Sequence, residues 1–239
     1  MTERLYLDAP ALPATTARVL SAGPEGIVLD RTIFYARAGG QPGDTGTLAW
    51  DGGSLTVTDT IKGEGEAILH LVGAGDPPPV GAEVTATLDW ARRHAHMRMH
   101  TTLHLLCAVL PGAAVTGGSI GAERSRLDFD LPDPPTKEDI QARLNALIDG
   151  DHSVTWEWVD ESVLDTNPEL VRTLSVQPPR GTGRLRLVRI GADVDLQPCG
   201  GTHVARTGEI GPVVVTKIEN KGRQNRRIVV TLAQEERLA

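Results

Sequence analysis

The chain has 239 residues, 40% of them apolar and 23% charged, with a formal net charge of −7. These values exclude a disordered or fibrous chain and a generally basic nucleic-acid coat, though a local phosphate-binding patch stays open. The length exceeds the most common single-domain size, so two modest domains are expected. Four Trp, two Tyr and two Phe leave Leu, Val, Ile and Ala to build the interior. Cys107 and Cys199 are the only cysteines, which excludes a disulfide framework and fits a reducing compartment. The start, MTERLYLDAP, has no positive region ahead of an apolar run, and no stretch holds 18 uninterrupted apolar residues. Neither a signal peptide nor a membrane span is expected, and the location read from this is cytoplasmic.

From Thr16 to about Leu88 the runs ARVLSA, GIVLD, TGTLAW, SLTVTDTI, AILHLV and EVTATLD alternate apolar and polar residues between the turn signals GPEG, WDGG and GDPPP. Alternation with such punctuation predicts a small all-β barrel. From Asp89 the punctuation stops. DWARRHAHMRMHTTLHLLCAVL holds no Gly or Pro, opens on Asp89 as an N-cap and ends at Pro111 and Gly112, which predicts the longest helix. A strand follows at RSRLDFDL, a helix at TKEDIQARLNALID capped by Thr136, and a strand at SVTWEWVDE. A short helix at PELVRTL, a strand pair at RLRLVRI and VDLQP, and a hairpin from PVVVTKIE to RRIVVTL complete the chain. No internal repeat is visible, and the change of texture puts a domain boundary near residues 88 to 90.

In HTTLH, residues four apart share a helix face, so His100 and His104 can aim at one point as paired metal ligands do. The same spacing also arises on a packed or solvated face, and seven histidines make such a pair ordinary. In PCGGTH, Gly200 and Gly201 relax the backbone enough for Cys199 and His203 to turn inward. Imidazole and thiolate together suit tetrahedral zinc rather than magnesium or calcium. Cys107, three residues after His104, could add a ligand, but its apolar surroundings, LLCAVL, read as core.

HTTLH and PCGGTH together resemble the HxxxH and CxxxH zinc motifs shared by the editing domains of alanyl- and threonyl-tRNA synthetases. QPGDTG after FYARAGG is similar to the glycine-rich motif of the freestanding alanyl-tRNA editing proteins, with Gly39, Gly40 and Gln41 kept. Ala36, Arg37 and Ala38 depart from it, standing where the family has Pro, a variable residue and the first Gly. The resemblance covers nearly the whole chain, through GIVLD, VTGGSI and RLDFD to CGGTHVARTGEIGPVVVTKIENKGRQNRRI. With no aminoacylation domain and no long helical tail after Leu232, it is the medium-length member of the family that is resembled.

The resemblance implies an α+β chain: a small antiparallel β-barrel over residues 1–88, then an α/β sandwich-type editing domain over 89–239 with an antiparallel sheet and a long zinc-bearing helix. It implies one zinc ion held by His100, His104, Cys199 and His203, and hydrolysis of the ester joining serine, or glycine, to alanine tRNA. Four protein ligands close a structural site, whereas catalytic zinc keeps a position open, so either role is compatible with this set. A pocket that hydrogen-bonds the seryl hydroxyl would spare alanine. Gln41, Thr101, Thr102 and Thr116 are the candidates, although a helical Thr can simply bond its own preceding turn.

Arg92, Arg93 and Arg98, with His94 and His96, crowd the helix before HTTLH, and Lys217, Lys221, Arg223, Arg226 and Arg227 crowd the last hairpin. These tracts read as a local tRNA-phosphate surface, against the alternative of a solvated helix face and a charged edge hairpin. A monomer or weak homodimer is expected. The competing functions are a tRNA-end or synthetase-binding module with structural zinc, and an unrelated zinc hydrolase; no HExxH is present to favour the latter.

Overall fold

A computed structural model describes residues 2–174, 181 and 183–233. The chain is α+β and divides into two compact units, Met1–His96 and Met97–Ala239. The division falls inside the long helix.

The first unit contains β1 (Glu3–Arg4), β2 (Ala14–Gly23), β3 (Gly26–Leu29), β4 (Arg31–Thr32), β5 (Gly46–Trp50), β6 (Gly53–Lys62), β7 (Ile68–Val72) and β8 (Glu83–Leu88). β1 and β4 form a short parallel pair, and the other six close into a barrel in the order β2-β3-β7-β6-β5-β8. Each of the six alternating runs in the sequence is one of these strands. In β8, Val84, Ala86 and Leu88 are buried while Glu83, Thr85 and Thr87 are exposed, so period 2 separates interior from solvent. Ile27, Leu29, Phe34, Leu48 and Val57 fill the interior. Register shifts in β2 and β6 bend these strands, as bulges do where a small barrel must curve.

The glycine-rich segment is a tight loop. Ala38 and Gln41 exchange backbone hydrogen bonds, and Gly39 and Gly40 between them have φ of 55° and 82°. Two consecutive positive φ values are those of a type I′ turn, which disfavours other side chains. At Gly43 the reason is different: a Cβ there would lie 2.1 Å from the Thr60 carbonyl oxygen.

Helix α1 (Trp90–Val109) follows, and the Asp89 carboxylate accepts the Arg92 N–H at 3.2 Å, the expected cap. In the second unit come β9 (Ala114–Ser119), β10 (Arg124–Asp130), α2 (Lys137–Asp149), β11 (Val154–Asp160), α3 (Val163–Thr166), β12 (Arg184–Ile190), β13 (Asp195–Pro198), β14 (Val213–Asn220) and β15 (Asn225–Leu232). Two antiparallel sheets result, β14-β15-β10-β9 and β11-β12-β13. Leu105 and Leu106 of α1, Ile140 and Leu144 of α2, and Phe129, Val188 and Val230 from the sheets share one core. Thr136 caps α2 through the Asp139 N–H, as its sequence position predicts.

Three elements depart from the sequence reading. VTGGSI forms β9, a strand that its two glycines conceal. α3 has no counterpart in that reading. PELVRTL yields only one 3-10 turn, Pro168–Leu170, after which Arg172 to Leu174 run extended beside Val115, exchanging backbone hydrogen bonds of 2.9 and 2.8 Å with it. The β-branched Val171 and Thr173 and the open edge of β9 outweigh the helical spacing. Residues 234–239, where no helical tail is expected, lie outside the described residues. Among the described residues no helix is long and apolar enough to cross a membrane.

Candidate metal centre

α1 and the turn after β13 bring together side chains separated by about a hundred positions. One ligand atom each from His100, His104, Cys199 and His203 lies within 4.8 Å of the others. Cys199 Sγ is 3.5 Å from His100 Nε2 and 3.3 Å from His203 Nε2. The three histidines are buried and Cys199 is half-buried. Cys107 lies outside the cluster, in the core, where burial first and then the Asp195 charge push its thiol up to about 12.

The helix supplies its pair through the four-residue spacing, and the CGGTH turn supplies the other through a brace. Arg186 on β12 donates from Nη1 to the carbonyl oxygens of Cys199, at 2.9 Å, and Gly201, at 3.1 Å. Gly201 N–H in turn points at Cys199 Sγ, 3.4 Å away. His104 Nδ1 contacts Asp195 Oδ2 at 2.9 Å, and the Gln197 amide donates to both oxygens of Asp195. Asp195 and Gln197 are absent from the sequence reading. The available signal was strand periodicity: residues 195, 197 and 199 share one face of β13 and its extension.

The electrostatics of Cys199 and His203 match those of metal ligands. Burial works against ionising Cys199, but His100 and His203 outweigh it and hold the thiol well below its ordinary range, favouring the thiolate that binds metals. Burial and the neighbouring His100 hold His203 well below the usual imidazole value, so it stays neutral. His104 is the opposite case. Burial opposes its charge, yet Asp195 and Cys199 together push it up to about 10.

Of the candidate hydroxyls, Thr101 is fully buried and already committed: it donates to Met97 O at 3.0 Å, accepts from Val204 N–H and lies 3.2 Å from His203 Nδ1. It braces His203 and bonds its preceding turn, the alternative that its sequence position left open. Thr102 likewise bonds its preceding turn, at Arg98 O. Thr116 is the extra residue of a β-bulge, since Val115 pairs with Phe129 and Gly117 with Asp128. Its Oγ1 is buried with no hydrogen-bond partner among the described residues. Gln41 is buried in the first unit, in the turn described above.

On the basic tract of α1, Arg93 needs correction. Arg93 is completely buried, with Nε 2.8 Å from Asp44 Oδ2, Nη2 paired to the same oxygen, and the carbonyls of Pro10 and Ile33 taking its remaining reach. A guanidinium so enclosed serves the barrel unit, not a phosphate. Arg92 donates to Gly43 O and Arg98 to Ile210 O, both from half-buried positions. On the hairpin, Lys217 and Lys221 both pair with Glu219, Arg227 forms two hydrogen bonds to Asp128, and Arg226 donates to Pro132 O. Arg223 is exposed. Acidic partners therefore neutralise much of what reads as a basic stripe.

Residues 185–229, which span Cys199 and His203, match the family described as threonyl and alanyl tRNA synthetase second additional domain. Residues 12–92, the barrel, match class II (A) tRNA synthetases. Barrel and cluster thus define a synthetase-related chain. The chain is 33% identical to alanyl-tRNA editing protein AlaX-M of Saccharolobus solfataricus, over 97% of this chain and 99% of that one. It is 35% identical to the protein of the same name from Methanosarcina mazei, over 97% of each. Identity to an alanine–tRNA ligase of Pyrobaculum arsenaticum is also 35%, over 91% of this chain but 25% of the ligase. The chain belongs to the alanyl-tRNA editing protein family.

Proposed function

We propose that the chain is a trans-editing hydrolase that cleaves the ester joining a wrongly attached amino acid, chiefly serine, to the terminal ribose of alanine tRNA. The observation that carries this reading is the convergence of His100, His104, Cys199 and His203 in a chain alignable from end to end with relatives named for alanyl-tRNA editing. Residues 1–88 act as the barrel domain and 89–239 as the editing domain. The protein works in the cytoplasm as a monomer or weak homodimer.

The cluster fits zinc. Tetrahedral bonds of about 2.0–2.1 Å to nitrogen and 2.3 Å to sulfur place N and S ligand atoms about 3.5 Å apart. The observed separations from Cys199 Sγ are 3.3 and 3.5 Å. His100, His104, Cys199 and His203 would hold the ion, and when bound it supplies Lewis acidity and a fixed positive charge. An aminoacyl ester is already activated, so the residues around the cluster need mainly to orient it and to choose the side chain. The unpartnered Thr116 hydroxyl suits a seryl hydroxyl. Alanine would leave such a buried polar group unpaired, and discrimination of that kind reaches about 10⁴ to 10⁵. Glycine lacks the hydroxyl, so its removal would rest on other contacts.

The test is to incubate the purified protein with alanine tRNA carrying serine, glycine or alanine and to follow ester loss. Serine should be released and alanine kept, and unchanged seryl ester at high protein concentration would sink the proposal. Elemental analysis should find one zinc per chain, lost in His104→Ala and in Cys199→Ala; full retention in either would show a misassigned ligand.

A further inference from the structure

The three-stranded sheet places an aromatic ring in line with the metal cluster. Trp158 on β11 pairs with Arg186 on β12, and Cys199 N–H donates to Arg186 O at 3.0 Å, so Trp158, Arg186 and Cys199 form one cross-strand row. Members of such a row share a face. Adjacent strands lie about 4.8 Å apart, which puts the Trp158 backbone roughly 10 Å from that of Cys199. Along this row burial falls away: Arg186 is buried, whereas Trp158 is 36% exposed.

Each arginine leans along its strand onto the neighbouring indole. Arg186 Cζ lies 5.1 Å from the Trp156 ring centroid, and Arg184 Cζ lies 4.4 Å from that of Trp158. The inner pair is held by its work on the CGGTH turn. In the outer pair, Trp158 and Arg184 are both exposed residues, with Asp160 as the cross-strand neighbour of Arg184. Aromatic and guanidinium planes are what unstacked bases of single-stranded RNA ends settle on, and the adjacent cation suits phosphate.

We propose that Trp158 and Arg184 are the stacking platform for the terminal nucleobase of the RNA whose ester lies at the cluster. This inference rests on the hydrolase reading above for the identity of that ester. The ribose separates ester from base, so the base must fall one nucleotide's reach from the ligands, and the row from Cys199 to Trp158 provides that offset on a rigid sheet. Stacking accepts any base face, so the platform fixes position and leaves choice of amino acid to the pocket.

Two fluorescently labelled RNA hairpins with uncharged 3′ ends test this, one ending in CCA and one with its last base removed. The wild-type chain should bind the CCA end about tenfold more tightly, the order of effect a stacked base carries. Trp158→Leu should abolish the preference while keeping the affinity for the abasic end, and Trp158→Phe should restore much of it. Equal affinity of the wild type for both ends, or a preference unchanged in Trp158→Leu, overturns the proposal. If Trp158→Leu fails to fold, Arg184→Gln takes its place, and an undiminished preference there overturns it equally. Hydrolysis of the seryl ester, followed in parallel, separates the two readings. Base preference without ester loss would refute the hydrolase and keep the platform; ester loss with KM unchanged in the platform variant would do the reverse.

Discussion

Asp195 Oδ2 accepts from His104 Nδ1 at 2.9 Å, and this contact decides which imidazole nitrogen faces the other ligands. A carboxylate only accepts, so the ring carries its proton on Nδ1 and turns Nε2 toward Cys199 and His203. The two hydrogen bonds from Gln197 and the Arg172 guanidinium 3.9 Å away hold the carboxylate in place. Asp195→Asn removes the charge and offers an amide that can turn its N–H groups toward His104. We expect metal affinity to fall about 10- to 100-fold, measured by competition with a chelator, with the far-UV spectrum unchanged. Wild-type affinity in the variant would show that His104 is oriented by packing alone.

Arg93 and Asp44 make the opposite test, a charged pair with a structural duty. Both are buried, and removing the guanidinium leaves a carboxylate uncompensated in the barrel unit. Arg93→Ala should cost about 3–5 kcal/mol of stability in denaturant unfolding. At temperatures where the variant stays folded, the salt dependence of its RNA binding should match the wild type, since this arginine contacts no phosphate. A shallower slope would return Arg93 to the RNA surface.

His70 gives the barrel a pH dependence. It is fully buried, with Nδ1 donating to Ile27 O at 2.9 Å and Nε2 2.7 Å from the Thr32 hydroxyl, a network complete with a neutral ring. Burial lowers its pKa from 6.5 to about 4, against the Ile27 hydrogen bond. Between those values the unfolded chain holds a proton that the folded chain does not. The stabilisation is therefore complete above about pH 6.5 and lost as pH falls through 4, to a total of about 3 kcal/mol. Urea midpoints from pH 7 to 4 should show this loss, and His70→Leu should have a flatter profile than the wild type over the same range.

Glu219 sets the charge of the last hairpin. Lys217 Nζ lies 2.5 Å from one carboxylate oxygen and Lys221 Nζ 2.8 Å from the other, and together they hold the acid down to about 2. It is ionised throughout the neutral range. Glu219→Gln should leave both ammonium groups to phosphate, raising RNA affinity and steepening its log–log salt dependence by about one to two contacts. An unchanged slope would place the hairpin off the path of the RNA.

The barrel was legible because alternation in runs such as EVTATL states which side of a strand meets solvent, residue by residue. Caps at Asp89 and Thr136 were equally local. β9 was hidden because Gly117 and Gly118 carry no side chain to alternate, and Arg93 was misread because charge in a helix says nothing about what the helix end is buried against.

The sequence by itself determined the six barrel strands, the long helix and the two four-residue spacings that put His100 beside His104 and Cys199 beside His203, all properties of neighbouring residues. Only the tertiary structure decided that the two pairs meet, that Asp195 orients one imidazole, that Thr101 braces another and that Arg93 is core. Each of these depends on partners tens of residues away, and their meeting is set by strand register and core packing, which no local pattern encodes.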